Sequence, residues 1–148
     1  MQVQFFLPNL SMTTGLADPD LPASVWQACL LCAELYRQQQ KVFVYCANQQ
    51  DAEQVDEVLW RFDAHSFVPH NLAGEGPAWG APVEISWQPP KNQRQVLINL
   101  TSTVPDFIHR FSQIIEFVPA AESDKDIARQ KYKHYRQLGV TPQTVQAS

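Results

Sequence analysis

Glycine is scarce in this chain, and where it is missing matters. Of five glycines in 148 residues, three fall in one stretch, HNLAGEGPAWGAP, from His70 to Pro82. A dinucleotide-binding fingerprint needs its glycines between the first strand and the first helix, so that the helix N-terminus faces a pyrophosphate. That interval reads PNLSMTTGLADPD and holds Gly15 alone. Gly74, Gly76 and Gly80 lead instead into a strand; no Lys-Ser or Lys-Thr follows them, and Glu75 would repel phosphate. The stretch reads as a shaped connector, stiffened by Pro77 and Pro82, with no nucleotide to cradle.

Other shortages narrow the field further. Three cysteines, an odd number, argue against a secreted disulfide framework. Cys29 and Cys32 form a C-x-x-C, but mid-helix on an apolar stripe, whereas redox cysteines of this spacing sit at a helix N-terminus. No second ligand pair completes a zinc site. Cys46 reads as another buried thiol. His65, His70, His109 and His134 fall at no metal-binding spacing, and neither H-E-x-x-H nor G-x-S-x-G occurs. No catalytic constellation, metal site or cofactor is expected. The first ten residues, MQVQFFLPNL, lack the basic start of a signal peptide, and no apolar run is long enough to span a membrane. The expectation is a cytoplasmic protein. A net charge of −4 also argues against a nucleic-acid footprint over the whole surface.

What is present is an alternation of strands and helices. Val3–Leu7, Lys41–Cys46, Val83–Trp87, Val96–Leu100 and Ile114–Val118 are short apolar runs of the kind that fill a sheet covered on both faces. Between the first two lies a helix in which Val25, Ala28, Cys29, Cys32, Leu35 and Tyr36 recur at helical spacing. Asn48 caps a second helix running to about Arg61. Pro105 opens a short helix through Phe111, and a terminal helix runs from Ser123 or Asp124 to Leu138, stopped by Gly139. The fold class is α/β: a three-layer Rossmann-like domain, its mostly parallel sheet covered by helices on both faces. Residues 1–140 form one domain, and 141–148 read as a frayed tail.

Two features resist a purely structural reading. Lys125 to Arg136 holds five basic residues and one acid, so the rest of the chain is at −8. At about 100° per residue, Lys125, Arg129, Lys133 and Arg136 fall within roughly 80° of the terminal helix, with Tyr132 at the border. Ile127, Ala128, Tyr135 and Leu138 lie on the core side, and Lys131 among them is expected to snorkel outward. A solvated helix face normally mixes signs. A single-sign row beside an aromatic suits an acidic peptide with an apolar anchor, whose carboxylates Lys and Arg would hold. A solvated charged face remains the other reading at this point. Trp60, meanwhile, projects about 140° from the buried side of its helix, marked by Ala52, Val55, Val58, Leu59 and Phe62. With Phe67 close by, it reads as an interface anchor, against the alternative of a satellite core under a loop.

SFVPHNLAGEGPAWGAPVEISW, the preceding DEVLW and the late EFVP…ARQKYKHYRQLG resemble the chi subunit of bacterial DNA polymerase III over most of the chain. The resemblance implies an α/β, non-catalytic accessory protein of the clamp-loader complex in DNA replication. It implies two partners: the psi subunit, and the acidic C-terminal tail of single-stranded-DNA-binding protein, which ends in Pro-Phe. By position the tail-binding residues are Val118, Lys125, Arg129, Tyr132 and Lys133, to which the basic stripe adds Arg136. The psi-binding residues are Trp60 and Phe67, and an accessory helicase is a further candidate partner at that surface. The competing expectation is a small nucleotide-dependent α/β enzyme.

Overall fold

In a computed structural model the described residues are 1–7, 23–61, 70–72, 81–91, 93–118 and 125–145. Seven strands build one sheet: β1 (Gln2–Phe6), β2 (Val42–Tyr45), β3 (His70–Leu72), β4 (Val83–Ser86), β5 (Val96–Asn99), β6 (Gln113–Phe117) and β7 (Gln143–Val145). Their spatial order is β3-β4-β2-β5-β6-β1-β7. All six pairings are parallel, with register such as Val42↔Val83, Val42↔Val96 and Val3↔Ile114. The helices are α1 (Ala23–Arg37), α2 (Gln49–Arg61) and α3 (Lys125–Gln137), with a 3-10 turn at Ile108–Arg110. None of these helices is long and apolar enough to cross a membrane.

The period-2 alternation of a strand divides the core in two. Val42, Val44, Ile85, Val96, Ile98 and Ile115 face α1 and α2, packing on Ala28, Cys29, Cys32, Val55 and Leu59. Phe43, Leu97, Ile114, Val3 and Phe5 face the other way, toward Phe107, Phe111 and α3 through Ala128 and Tyr135. Each of the buried Val, Leu, Ile and Phe side chains contributes roughly 1.5–3 kcal/mol. A sheet covered on both faces needs strands apolar at every position, which is why β2 and β5 show no polar alternation.

Local chemistry ends the helices. Asn48 Oδ1 accepts the Asp51 N–H at 2.8 Å, capping α2 as the sequence indicates. At the end of α3, Val140 N–H reaches Tyr135 O at 3.0 Å and Gly139 N–H reaches Arg136 O at 3.1 Å, with Gly139 at φ 87°. That is a Schellman motif. α1 ends the same way around Gln39, at φ 62°, with Gln40 N–H on Leu35 O and Gln39 N–H on Tyr36 O.

Three expectations are corrected. The segment read as frayed contains β7, which hydrogen-bonds alongside β1 and carries the sheet beyond residue 140. The middle of the chain holds the edge strand β3, not read from the sequence. The helix expected from Pro105 to Phe111 is a single 3-10 turn. Gly74, Gly76, Gly80 and Trp79, and the expected start of the terminal helix at Ser123 or Asp124, lie outside the described residues.

Candidate functional site

At the carboxyl ends of β1 and β6 the sheet and α3 part enough to leave a cavity of about 350 Å³. Its floor and walls are Phe5, Leu7, Val118, Ala128, Tyr132 and Thr144, and Lys125, Arg129 and Lys133 complete its lining. The crevice beyond the carboxyl ends of parallel strands is where open α/β sheets bind ligands. Two backbone bonds fix the floor: Val118 N–H to Phe6 O and Leu7 N–H to Val145 O, both 2.9 Å. The Tyr132 ring lies 5.8 Å from that of Phe5, tilted by 56°, which holds its phenyl face as a wall.

The charge at this site is concentrated. Lys125, Arg129 and Lys133 are spaced by four residues, which aligns them on one side of α3. Lys125 is the first described residue of α3 and stands in its N-terminal part, where the macrodipole is itself positive and a lysine is unfavourable. Cations placed against the dipole favour an anionic ligand over helix stability. Among the described residues Asp126 tempers them. Arg129 Nη1 donates to Asp126 Oδ1 at 2.8 Å, so the row is not free of internal pairing as the sequence suggested. That pair is largely exposed, 61% and 72% for the two side chains. Exposed pairs contribute about 0–1 kcal/mol, which leaves an incoming carboxylate able to compete.

Five of the six residues nominated for this site therefore line one cavity: Val118, Lys125, Arg129, Tyr132 and Lys133. Arg136 is exposed further along α3 and is not part of the lining. Sequence reasoning missed Phe5, Leu7, Ala128 and Thr144. The first three read as ordinary core, and Thr144 stands in the segment taken for a tail. The core side of α3 is also narrower than expected. Ala128 and Tyr135 are buried, whereas Ile127 is 38% and Leu138 52% exposed.

Lys131 reverses its expectation outright. It does not snorkel but is buried, with Nζ 2.8 Å from Glu116 Oε1. The other carboxylate oxygen, Oε2, accepts from Tyr135 Oη at 2.6 Å and Asn99 Nδ2 at 2.8 Å. Burial pushes the Glu116 carboxyl up, against the pull of Lys131 and the two hydrogen-bond donors. It raises the Tyr135 phenol as well.

Trp60 projects from α2 as expected and is 61% exposed. Its ring lies 4.9 Å from that of the buried His70, whose Nε2 is 3.2 Å from Asp56 O and 3.4 Å from Asp56 Oδ1. The indole is thus braced from below by an anchored imidazole. Phe67 and His65 lie outside the described residues. The three thiols are buried: burial pushes Cys29 and Cys46 up to about 12 and raises Cys32 well above its usual range. Among the described residues no group of His, Cys, Asp or Glu side chains is arranged to hold a metal ion.

A family model of the DNA polymerase III chi subunit matches residues 2–143. The chain belongs to that family. DNA polymerase III subunit chi of Escherichia coli is 44% identical over 113 residues, 75% of this chain and 77% of that one. The Haemophilus influenzae chi subunit is 45% identical over 114 residues, covering 76% and 79%. That of Pseudomonas aeruginosa is 37% identical over 124 residues, covering 83% and 84%. The chi fold also resembles a solved structure of T4 UvsW, with a TM-score of 0.60 at 8% identity, over 98% of this chain and 41% of the other. At that identity the likeness is one of fold alone.

Proposed function

We propose that this chain is a non-catalytic accessory subunit of the DNA polymerase III clamp-loader complex, linking the psi subunit to the acidic C-terminal tail of single-stranded-DNA-binding protein. Membership of the chi family supports the coarser part, an accessory role in replication with protein partners. The observation that carries the finer part is the cavity, which joins an apolar floor to three cations along α3.

The mechanism is recognition of a chain end. Arg129 and Lys133, with Lys125, attract the acidic residues of the tail and its terminal carboxylate, and the guanidinium of Arg129 suits a bidentate grip. Val118 and Tyr132 wall the apolar space for the last phenylalanine, and Phe5 and Leu7 floor it. The cations are exposed or half-buried, so their attraction is screened over about 8–10 Å at ordinary ionic strength. One such contact is weak. Tethering through psi and the presence of several tails on the binding protein convert later contacts into intramolecular ones. Trp60, braced by His70, and Phe67 form the psi-binding surface, where an accessory helicase is a further candidate partner.

Titration with an acidic peptide ending in Pro-Phe tests this reading. Arg129→Glu should weaken the complex by about 1.5–3 kcal/mol, the size of a hydrogen bond to a charged group. Trp60→Ala should leave peptide binding intact and weaken association with psi. Peptide affinity untouched by Arg129→Glu would remove the cavity from the account.

A further inference from the structure

Beside the cavity, and outside its lining, lies a buried polar cluster centred on Glu116. Glu116 of β6 is fully buried and receives three hydrogen bonds, two from α3 and one from β5. The two donors on α3, Lys131 and Tyr135, are four residues apart and so share one side of the helix. Asn99 is itself held in place, its Oδ1 accepting from Thr101 Oγ1 at 2.7 Å and its Nδ2 donating to Thr103 O at 2.9 Å. A buried ion pair of this kind is a poor source of stability, because both ions lose their hydration, and an apolar pair of like volume serves as well or better. What it offers is direction. Apolar contacts between a helix and a sheet tolerate sliding and rotation, whereas bonds of 2.6–2.8 Å to one carboxylate fix both.

The pinned point adjoins the cavity on both sides. Glu116 precedes Val118 by two residues, and both face α3 across the same side of the sheet. Lys131 immediately precedes Tyr132, the opposite wall. The Tyr135 ring packs edge-on against Phe5 at 6.0 Å, and Phe5 also touches Tyr132. A shift of α3 about this point would change the gap between Val118 and the rigid ring of Tyr132, whereas the long, flexible side chains of the cations on the same helix can still reach a ligand.

We propose that the Glu116–Lys131–Tyr135 cluster is a positioning device: it sets how deeply α3 sits on the sheet, and thereby fits the cavity to the terminal aromatic of a bound chain end. Lys131, Tyr135 and Glu116 act through Tyr132 and Val118 and touch no ligand. This inference rests on the tail-binding reading and adds residues to it that the basic stripe does not contain.

The test separates the aromatic from the charges. Two acidic peptides, identical except for ending in Pro-Phe or Pro-Ala, are titrated into the full chain and into Lys131→Met, Lys131→Arg and Tyr135→Phe, with folding followed by circular dichroism. In Lys131→Met the Phe-over-Ala preference should fall about fivefold, within the range such indirect couplings reach, while affinity for the Ala-ended peptide stays within about twofold. Lys131→Arg restores a cation to the carboxylate and should keep the preference. Tyr135→Phe removes a single bond, keeps the ring and should lower the preference by about half or more; it decides the matter if Lys131→Met does not fold. A purely structural role would weaken both peptides by a common factor, or neither, and either result overturns the proposal. A wild-type chain that binds neither peptide, or both alike, overturns the tail-binding reading itself and the positioning role with it.

Discussion

A lysine ammonium facing a carboxylate that water cannot reach gains Coulomb energy only by giving up hydration on both partners. Replacing Lys131 by methionine leaves Glu116 with that cost and no counter-ion. We expect Lys131→Met to lose about 3–5 kcal/mol in urea denaturation, far more than any single change among the exposed cations. Helical periodicity put Lys131 on the core side of its helix but gave no reason to expect an acid waiting there. The carboxylate comes from a strand 15 residues away in sequence and reads in isolation as one polar residue in an apolar run. The thiols were easier, since their place on apolar stripes announced burial. With Cys29 and Cys46 held up to about 12, native protein at pH 8 should not react with a thiol reagent such as DTNB, and all three should react once it is denatured. Stability contributed by the protonated thiols is complete below about pH 8.5, the unfolded value, and is lost as pH rises toward 12.

Two of the three helices end on the same backbone motif with different residues. Gly139 occupies the left-handed position after α3, where a side chain is strained, whereas Gln39 occupies it after α1 at φ 62°. Gln39→Gly should therefore stabilise the chain by about 0.5–1 kcal/mol, a rise of about 1–4 °C in Tm, after the entropy that glycine adds to the unfolded state. A fall in Tm would show that the Gln39 side chain is worth more than its strain. At this scale the sequence was largely legible: β1, β2, β4, β5 and β6 lie within a residue or two of the apolar runs that announced them. The exceptions share a cause. β3 and β7 are three-residue edge strands, His70–Leu72 and Gln143–Val145, too short and too polar to show a period, and neighbours pair them rather than propensity. Ile108–Arg110 has a proline to open a helix but only one turn before the chain must enter β6. Missing β7 also meant missing Thr144 as part of the cavity.

For the whole molecule, a net charge of −4 and one cationic patch make tail binding a contest between local attraction and general repulsion. On the proposed reading, affinity for the acidic peptide should fall steeply as salt is raised from about 0.05 to 0.3 M, while psi association through Trp60 should change little. Equal salt sensitivity of the two would mean that the Trp60 surface is also electrostatic. The family was legible from runs such as SFVPHNLAGEGP, and five residues that line the cavity followed by position. The cavity itself was not, because its lining combines β1, β6, α3 and β7, which adjacency in sequence cannot reveal.

α2, which carries Trp60, covers the β3–β4 side of the sheet on one face, while the cavity under α3 opens at β6, β1 and β7 on the other. Five gaps of about 4.8 Å separate β3, beside Trp60, from β1, in the cavity floor, so about 24 Å of sheet lies between two surfaces on its opposite faces. If these are the two binding surfaces proposed above, the sheet serves as a spreader between two handholds, and saturating either one should leave the grip of the other unchanged.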